Sequence, residues 1–212
     1  RIELSTLDRQ IAYVAVDQHR NNIFAPLVYK TRDAGKSWTD ISAGLPAGEI
    51  TSVIRADSRQ PGLLFVGTDR GVQVSLDDGA HWQALSPNLP VAWVRDMRVV
   101  GDELAIATQG RALWVLDDFS RLRELAADAS LAQPRLFTPA MATRLRKSQN
   151  RDTPLAAEIP LGENPPTGAL IEYYLPRDAA GVELKVLAGD GALVQSFSSS
   201  ETPATLPADQ YF

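Results

Sequence analysis

The sequence predicts an all-β protein: a partial β-propeller of about three four-stranded blades, followed by a small antiparallel β-sandwich. Three observations carry this expectation. The octet Thr31-Arg32-Asp33-Ala34-Gly35-Lys36-Ser37-Trp38 recurs 44 residues on as Ser75-Leu76-Asp77-Asp78-Gly79-Ala80-His81-Trp82. Self-similarity at a period of about 40–50 residues marks a blade-by-blade propeller. A third unit with the same strand order but a worn octet comes next, and after a Pro- and Gly-rich stretch strand patterns return with no octet at all.

Each residue type in the octet has a physical reason. A tight turn between two strands wants a short carboxylate, Asp33 or Asp77, to accept bonds from the turn's own N–H groups. Gly35 and Gly79 suit positions where φ must be positive. The hydroxyls of Thr31 and Ser75 can bind the Asp or the nearby backbone. Trp38 and Trp82 supply an apolar anchor that polar loop residues lack. The pattern describes a folded turn and implies no reaction chemistry.

Taken in order, residues 11–17 alternate as a half-buried strand, residues 19–22 form a polar loop, and Ala25 to Lys30 leads into the first octet. Trp38 to Ile41 reads as a short return strand, closed by the breaker cluster Ser42 to Pro46. The second unit repeats the plan. Ile50 to Asp57 and Leu63 to Thr68 are strands, Asp69-Arg70-Gly71 a hairpin turn, and Val72 to Ser75 enters the second octet. Trp82 to Leu85 closes that unit, and Ser86 to Pro90 breaks the chain again. In the third unit Val94 to Val100, Leu104 to Thr108 and Ala112 to Asp118 match their counterparts. There Phe119 replaces the octet Gly and Leu122 the Trp.

The domain reading is a three-bladed partial propeller over 1–123, a connector over 124–167 and a sandwich, expected to be incomplete, over 168–212. Glu124 to Leu131 has helix-forming composition in a very short span. Leu136 to Arg144 reads as an extended connector, Lys147 to Asp152 as polar, and Pro160 to Thr167 as linker. Ala169 to Leu175, Val182 to Leu187 and Ala192 to Phe197 are strand candidates, the last two joined by the turn Gly189-Asp190-Gly191. Three blades fall short of the four to eight that close a ring. The chain is therefore expected to be a fragment, its missing blades lying in a parent chain or supplied by another chain. Its start at Arg1 without Met fits an excised or mature piece.

The two octets resemble the Asp-box (BNR) repeat of bacterial sialidases, xyloglucanase-type glycoside hydrolases, sortilin-type receptors and secreted bacterial propellers. Thr108 to Asp118 resembles the last-blade signature of large bacterial sortilin-like proteins of the glycosyl hydrolase type. The connector Leu136-Phe137-Thr138-Pro139 and the run from Pro165 to Leu175 are similar to the segments downstream of the propeller in that group. The resemblance implies octets on the outer rim, away from a central ligand site, and an immunoglobulin-like sandwich after the propeller. It also implies an extracellular or periplasmic location. The group's usual His before Gly110-Arg111 is Gln109 here, so no role of that His carries over.

Composition narrows the function. A net charge of −5 gives no footprint for nucleic acid. No run of about 18 apolar residues offers a membrane span. With no cysteine and two separated histidines, His19 and His81, neither a thiolate nor a zinc-spaced metal site is expected, and no cofactor is called for. Candidate carboxylates are Asp17, Asp57, Asp69, Asp96, Asp117 and Asp118, with no spacing that forces two to converge. Arg55, Arg70, Arg95, Arg98 and Arg111 are numerous but unmarked as a triad. Arg111 and Trp114 are the candidate ligand contacts, with Trp93 as a further aromatic that could stack on a sugar ring.

Two functions are expected from these features. The first is a non-catalytic module that binds protein or glycan. The alternative is part of a glycoside hydrolase whose catalytic acids lie partly in other blades. Self-association through open blades is a third expectation.

Overall fold

Runs of four to eight apolar, β-branched and aromatic residues favour strands, and in this chain they form a succession of antiparallel sheets. The structure is a computed structural model that describes residues 1–85, 88–128, 132–142 and 168–201. The first sheet runs β1 (Ile2–Leu4), β2 (Ala12–Ala15), β3 (Val28–Thr31) and β4 (Thr39–Asp40), each hydrogen-bonded to the next. The second repeats this with β5 (Thr51–Ala56), β6 (Leu64–Thr68), β7 (Val72–Ser75) and β8 (Gln83–Ala84). The third holds β9 (Trp93–Val100), β10 (Glu103–Gln109) and β11 (Leu113–Leu116), after which the chain enters α1 (Ser120–Ala127). This is the blade order of a propeller, with each octet linking a blade's third and fourth strands. The third blade has three strands among the described residues, where four were expected.

The chain divides into two compact units, Arg1–Ser130 and Leu131–Phe212. Helix α1 belongs to the first, because Leu122, Leu125 and Ala126 pack on its core. In the second unit β12 (Arg135–Leu136) pairs with β13 (Tyr173–Tyr174), and β14 (Glu183–Leu187) with β15 (Leu193–Ser198). The antiparallel hairpin across Gly191, whose φ is +86°, is the one the sequence predicts. The polar stretch 147–152 and the linker 160–167 lie outside the described residues, as do Ser86 and Pro87 of the second breaker.

Two apolar layers hold the blades. Tyr13, Val28, Ile54, Leu64, Val66 and Trp82 fill the first junction. Val53, Phe65, Val74, Val94, Leu104, Ile106 and Phe119 fill the second. Full burial of each such side chain contributes about 1.5–3 kcal/mol. Gly67 is required by the second junction: a Cβ there would lie 2.6 Å from Val94 Cγ1 and 2.7 Å from Val53 Cγ1.

Both octets fold alike. Thr31 Oγ1 donates to Asp33 Oδ1 at 2.7 Å and accepts from Gly35 N–H at 2.9 Å. Asp33 also accepts from Ser37 N–H at 2.9 Å and Ser37 Oγ at 2.6 Å. In the second octet Ser75 donates to Asp77 Oδ1 at 2.9 Å and accepts from Gly79 N–H at 2.8 Å. There His81 takes the place of Ser37, with its N–H 2.8 Å and Nδ1 2.5 Å from Asp77.

The second octet also clamps one blade to another. Asp78, at φ +65°, accepts from Tyr13 Oη at 2.8 Å and Arg32 Nη2 at 2.7 Å, and pairs with the buried Lys30 ammonium. Burial and the nearby Arg32 pull Lys30 down to about 8, which leaves it protonated at neutral pH. Trp82 Nε1 donates to the Ile41 carbonyl at 2.8 Å. A Cβ on Gly79 would lie 2.7 Å from Ile41 Cδ1, so only glycine lets the clamp close.

The worn third octet keeps the same backbone tie. Asp78 N–H bonds the Gly62 carbonyl at 2.8 Å, and Phe119 N–H bonds the Asp102 carbonyl at 2.9 Å. Phe119 therefore occupies the place of Asp78 and not, as the sequence spacing suggests, that of Gly79. The one-residue shift shows in the strand register, where Ala105 pairs with Val115 as Phe65 pairs with Val74. The physical consequence is a change of chemistry. Asp78 meets Tyr13 and Lys30, whereas Phe119 meets Phe65 edge-on at 5.1 Å.

Helix α1 is tied down by a buried ion pair. Arg123 Nη2 donates to Asp57 Oδ1 and Nε to Asp57 Oδ2, both at 2.8 Å, and the Asp57 side chain is fully buried. Arg123 also pairs with Asp102 and lies over the Phe119 ring. Removing either partner strands a buried charge, which costs about 3–5 kcal/mol. Arg123→Ala is expected to lower unfolding free energy by that order in urea titrations. Arg59→Ala, which loses only an exposed pair with Asp102, is expected to cost under about 1 kcal/mol.

Acid should unfold the first unit for a stated reason. Hydrogen bonds from Ser37, its hydroxyl and its N–H, hold Asp33 at about 2. Burial works to raise Asp57, but its bonds from Arg123 and the Gln60 and Arg59 N–H groups bring it below the usual carboxylate range. Such groups bind protons less readily folded than unfolded, so their stabilisation is present above about pH 4 and is lost as pH falls through their folded values. The melting temperature is expected to fall between about pH 4 and pH 2, and Asp33→Asn to flatten that fall.

Candidate functional site

The first strands of the three blades, β1, β5 and β9, lie side by side and bring charged residues from distant sequence positions onto one wall. Val53, Val94 and Met97 are buried in the core, a bulge at Arg95 letting both Val94 and Met97 face inward, and Arg55, Asp96 and Glu3 meet beside it. Arg55 donates through Nη1 to Glu3 Oε2 at 3.2 Å and through Nη2 to Asp96 Oδ1 at 2.6 Å. Its Nε bonds the Met97 carbonyl at 2.6 Å and Nη1 the Ile54 carbonyl at 2.8 Å, which fixes the guanidinium plane. Arg1 Nη1 reaches the other oxygen of Asp96 at 2.8 Å. A groove of about 570 Å³ opens against this network, lined by Glu3, Arg55, Asp96, Arg98 and Leu113 among others.

Burial pushes the Glu3 carboxyl up from its ordinary value, and the charge of Arg55 opposes the rise. A raised carboxyl in a cleft is the environment of a general acid. Here both wall carboxylates are already bound to one guanidinium, which holds them in place.

A second cluster lies where β2, β5 and β9 approach one another. His19 Nδ1 is 2.5 Å from Asp17 Oδ1, and its ring meets Trp93 edge-on at 5.4 Å. Trp93 Nε1 donates to Ser52 Oγ at 2.6 Å, and the Arg95 guanidinium lies over the Trp93 ring at 4.6 Å. Burial works to raise Asp17, but the hydrogen bonds from the His19 ring and N–H leave it net below the usual range. A cavity of about 450 Å³ is lined by Arg1, Asp17, Ser52 and Arg95 with Val14 to Val16. Arg95 and Arg98 are exposed, and neither has a carboxylate within ion-pair distance among the described residues.

The sequence-derived candidates fall in different places. Arg111 is exposed at the turn between β10 and β11, beside Ala112 at φ +60°. Only its backbone carbonyl meets Trp114, whose Nε1 donates to it at 2.7 Å. The Trp114 ring packs on the second junction. Asp117 and Asp118 follow β11, where Asp118 Oδ1 accepts from Ser120 N–H at 2.7 Å. Thr31, Asp33, Gly35, Ser75, Asp77 and Gly79 form the two octet turns. Trp82 is buried in the first junction, whereas Trp38 stays exposed. The sequence marks Arg55, Asp96, Asp17, Trp93 and Arg95 as candidates but gives no sign that Glu3 and His19 are their partners. The alternation of Arg1, Ile2, Glu3 and Leu4 is the available signal for a strand bearing Glu3.

Among the described residues no group of three or more His, Cys, Asp or Glu could hold a metal ion. No described helix is long and apolar enough to cross a membrane.

No family model matches the chain, and no curated protein does. Similar solved structures include YCF48 bound to D1 peptide, at 18% identity and a TM-score of 0.42 over 55% of this chain and 36% of that one. They also include the GH74 enzyme of Niastella koreensis, at 16% identity and a TM-score of 0.44 over 55% of this chain and 21% of that one. A third is the GH74 xyloglucanase of Xanthomonas campestris, at 18% identity and a TM-score of 0.42 over 56% of this chain and 21% of that one. The matched region is 36% or less of each of those chains.

Arg55 opposes the rise that burial imposes on the Glu3 carboxyl. Arg55→Met is expected to raise the Glu3 carboxyl further, since burial then acts unopposed. An NMR titration of the Glu3 side-chain carbonyl in both proteins would measure it, and unchanged midpoints would contradict this role.

Proposed function

We propose that this chain is the ligand-binding part of a non-catalytic propeller module that takes protein or glycan outside the cytoplasm. The observation that carries the reading is the state of the wall carboxylates. Glu3 and Asp96 share Arg55, and Asp17 is hydrogen-bonded to His19, so these carboxylates already have partners. Arg95 and Arg98 have no such commitment, and they leave donors facing the two grooves. An arginine lying over an aromatic ring, as Arg95 lies over Trp93, still has N–H groups to offer a partner's acceptors.

On this reading the octets are Asp boxes, turns of the blade rim, and the sortilin-like resemblance of the sequence supports an extracellular or periplasmic protein. The blades that complete a ring come from a longer parent chain or from association with another chain. The second unit is read as an immunoglobulin-like sandwich.

A glycoside hydrolase is the second reading, and one observation favours it: burial raises the Glu3 carboxyl, as a general acid requires. Asp96, bound to the same Arg55, would then be its partner carboxylate. Binding and turnover assays on peptide and glycan panels separate the two. The module reading expects binding without turnover, weakened about tenfold or more by Arg95→Ala with Arg98→Ala and unchanged in catalytic signal by Glu3→Gln. Hydrolysis abolished by Glu3→Gln would replace it with the enzyme reading.

A further inference from the structure

Each blade joins its second strand to its third at the same end of the fold, and that end carries charge and apolar surface that the wall does not use. The connections are 16–27 in the first blade, 69–71 in the second and 110–112 in the third. Each holds an exposed arginine: Arg20, Arg70 and Arg111. The blades stack with β2 beside β5 and β5 beside β9, so the three connections follow one another along that end. Among the described residues Arg20 and Arg111 have no carboxylate within ion-pair distance. The carboxylates of the same end are engaged. Asp69 Oδ1 accepts from Ile50 N–H at 2.8 Å, Asp17 Oδ1 from His19 N–H at 3.1 Å, and Glu49, its side chain largely buried, lies 4.0 Å from Arg70 Nε. What faces water here is cationic, on a chain whose net charge is −5.

The first connection is the longest of the three, and it is an ordered loop. The N–H groups of Asn21 and Ile23 bond the Gln18 carbonyl at 2.8 and 3.3 Å, and Asn22 N–H, at a left-handed φ of +59°, bonds the His19 carbonyl at 2.9 Å. Its stem is tied to the second blade by Leu27 N–H on Thr51 Oγ1 at 3.2 Å, and His19 reaches the Trp93 ring of the third. The loop is thus pinned over the blades, yet it leaves Ile23 and Phe24 at 42% and 55% exposure. Val91, in the connection that enters β9 at the same end, is 68% exposed. Propeller blades pack face against face, so the ends of the sheets stay at the surface whatever the number of blades.

We propose that this end of the blades docks a partner protein through a peptide segment that carries an apolar residue among acidic ones. Ile23 and Phe24 take the apolar side chain, and Arg20, with Arg70 and Arg111 beyond it, takes the carboxylates. Arginine pairs with carboxylates through two parallel N–H bonds. Apolar anchors beside arginine also have the composition of interface hot spots. An anionic membrane surface would meet the same groups, but it repels a chain of this net charge at long range. The surface is separate from the two wall grooves, whose linings contain none of these residues.

The test uses the full 212-residue chain and fluorescein-labelled hexapeptides, read by fluorescence anisotropy. A peptide with four glutamates around a central Leu-Phe pair is expected to bind saturably, and less tightly as salt is raised. Exchanging its glutamates for glutamines, or its Leu-Phe for Ser-Ser, should weaken binding about tenfold or more. The protein variants Arg20→Ala with Arg111→Ala, and Ile23→Ser with Phe24→Ser, should weaken it about as much. All four side chains are exposed, so circular dichroism and the urea midpoint should match wild type. If the apolar pair disturbs the loop, the arginine pair alone decides. No saturable binding of the acidic peptide, equal binding of its glutamine form, or indifference to the arginine variant would overturn the proposal. Capture of the chain by phosphatidylserine vesicles in place of the peptide would overturn it as well. Binding lost in Arg95→Ala with Arg98→Ala but kept in the Arg20 and Arg111 variant would also overturn it, and would leave the module reading of the wall standing.

Discussion

The blades stay together because one turn residue of each octet reaches across to its neighbour, and Asp78 shows the constraint most plainly. Its left-handed backbone turns the side chain out of its own blade and into the first, where Tyr13, Lys30 and Arg32 converge on one carboxylate. Three donors satisfy the half-buried acceptor, and Asp78 in turn satisfies a lysine that would otherwise be buried without a counter-charge. Around that contact the apolar layers close, with Trp82 and Gly79 fitted to Ile41. At the next junction Phe119 does the same mechanical task with an apolar contact to Phe65. Polar and apolar versions of one joint thus succeed each other along the chain.

The same joint accounts for the wall. With the blades stacked in register, their first strands come side by side, and residues far apart in sequence share one guanidinium. Arg55 is fixed by two backbone carbonyls before it meets either carboxylate. It acts as a structural crosslink between the first strands of three blades as well as a charge. The positive surplus beside it, on Arg95 and Arg98, is what a binding surface can offer to a ligand rich in acceptors.

Much of this is legible in the sequence. The octet spacing locates the first two blades, because Asp, Gly and a hydroxyl at fixed offsets fold a turn by local hydrogen bonds alone. Strand candidates such as Leu63 to Thr68 and Val182 to Leu187 form close to their expected bounds, since alternation and apolar runs encode them directly. The one-residue shift at Phe119 is not legible: a worn octet loses the local bonds that fix register, and only the cross-strand pairing of Ala105 with Val115 reveals it. Helix α1 is a short segment whose stability comes from Arg123 on Asp57, a contact 66 residues distant. The wall is hidden for a like reason. Its residues, Glu3, Arg55 and Asp96, share no spacing that a motif could record.

The central claim, that the octet residue carries the junction between blades, is tested most directly by a double-mutant cycle on Lys30 and Asp78. Unfolding free energies of Lys30→Met, Asp78→Asn and the double variant would be measured in urea. A coupling of about 1–3 kcal/mol is expected, since each single change leaves a buried or half-buried charge without its partner. Additive effects, within about 0.5 kcal/mol, would contradict the account.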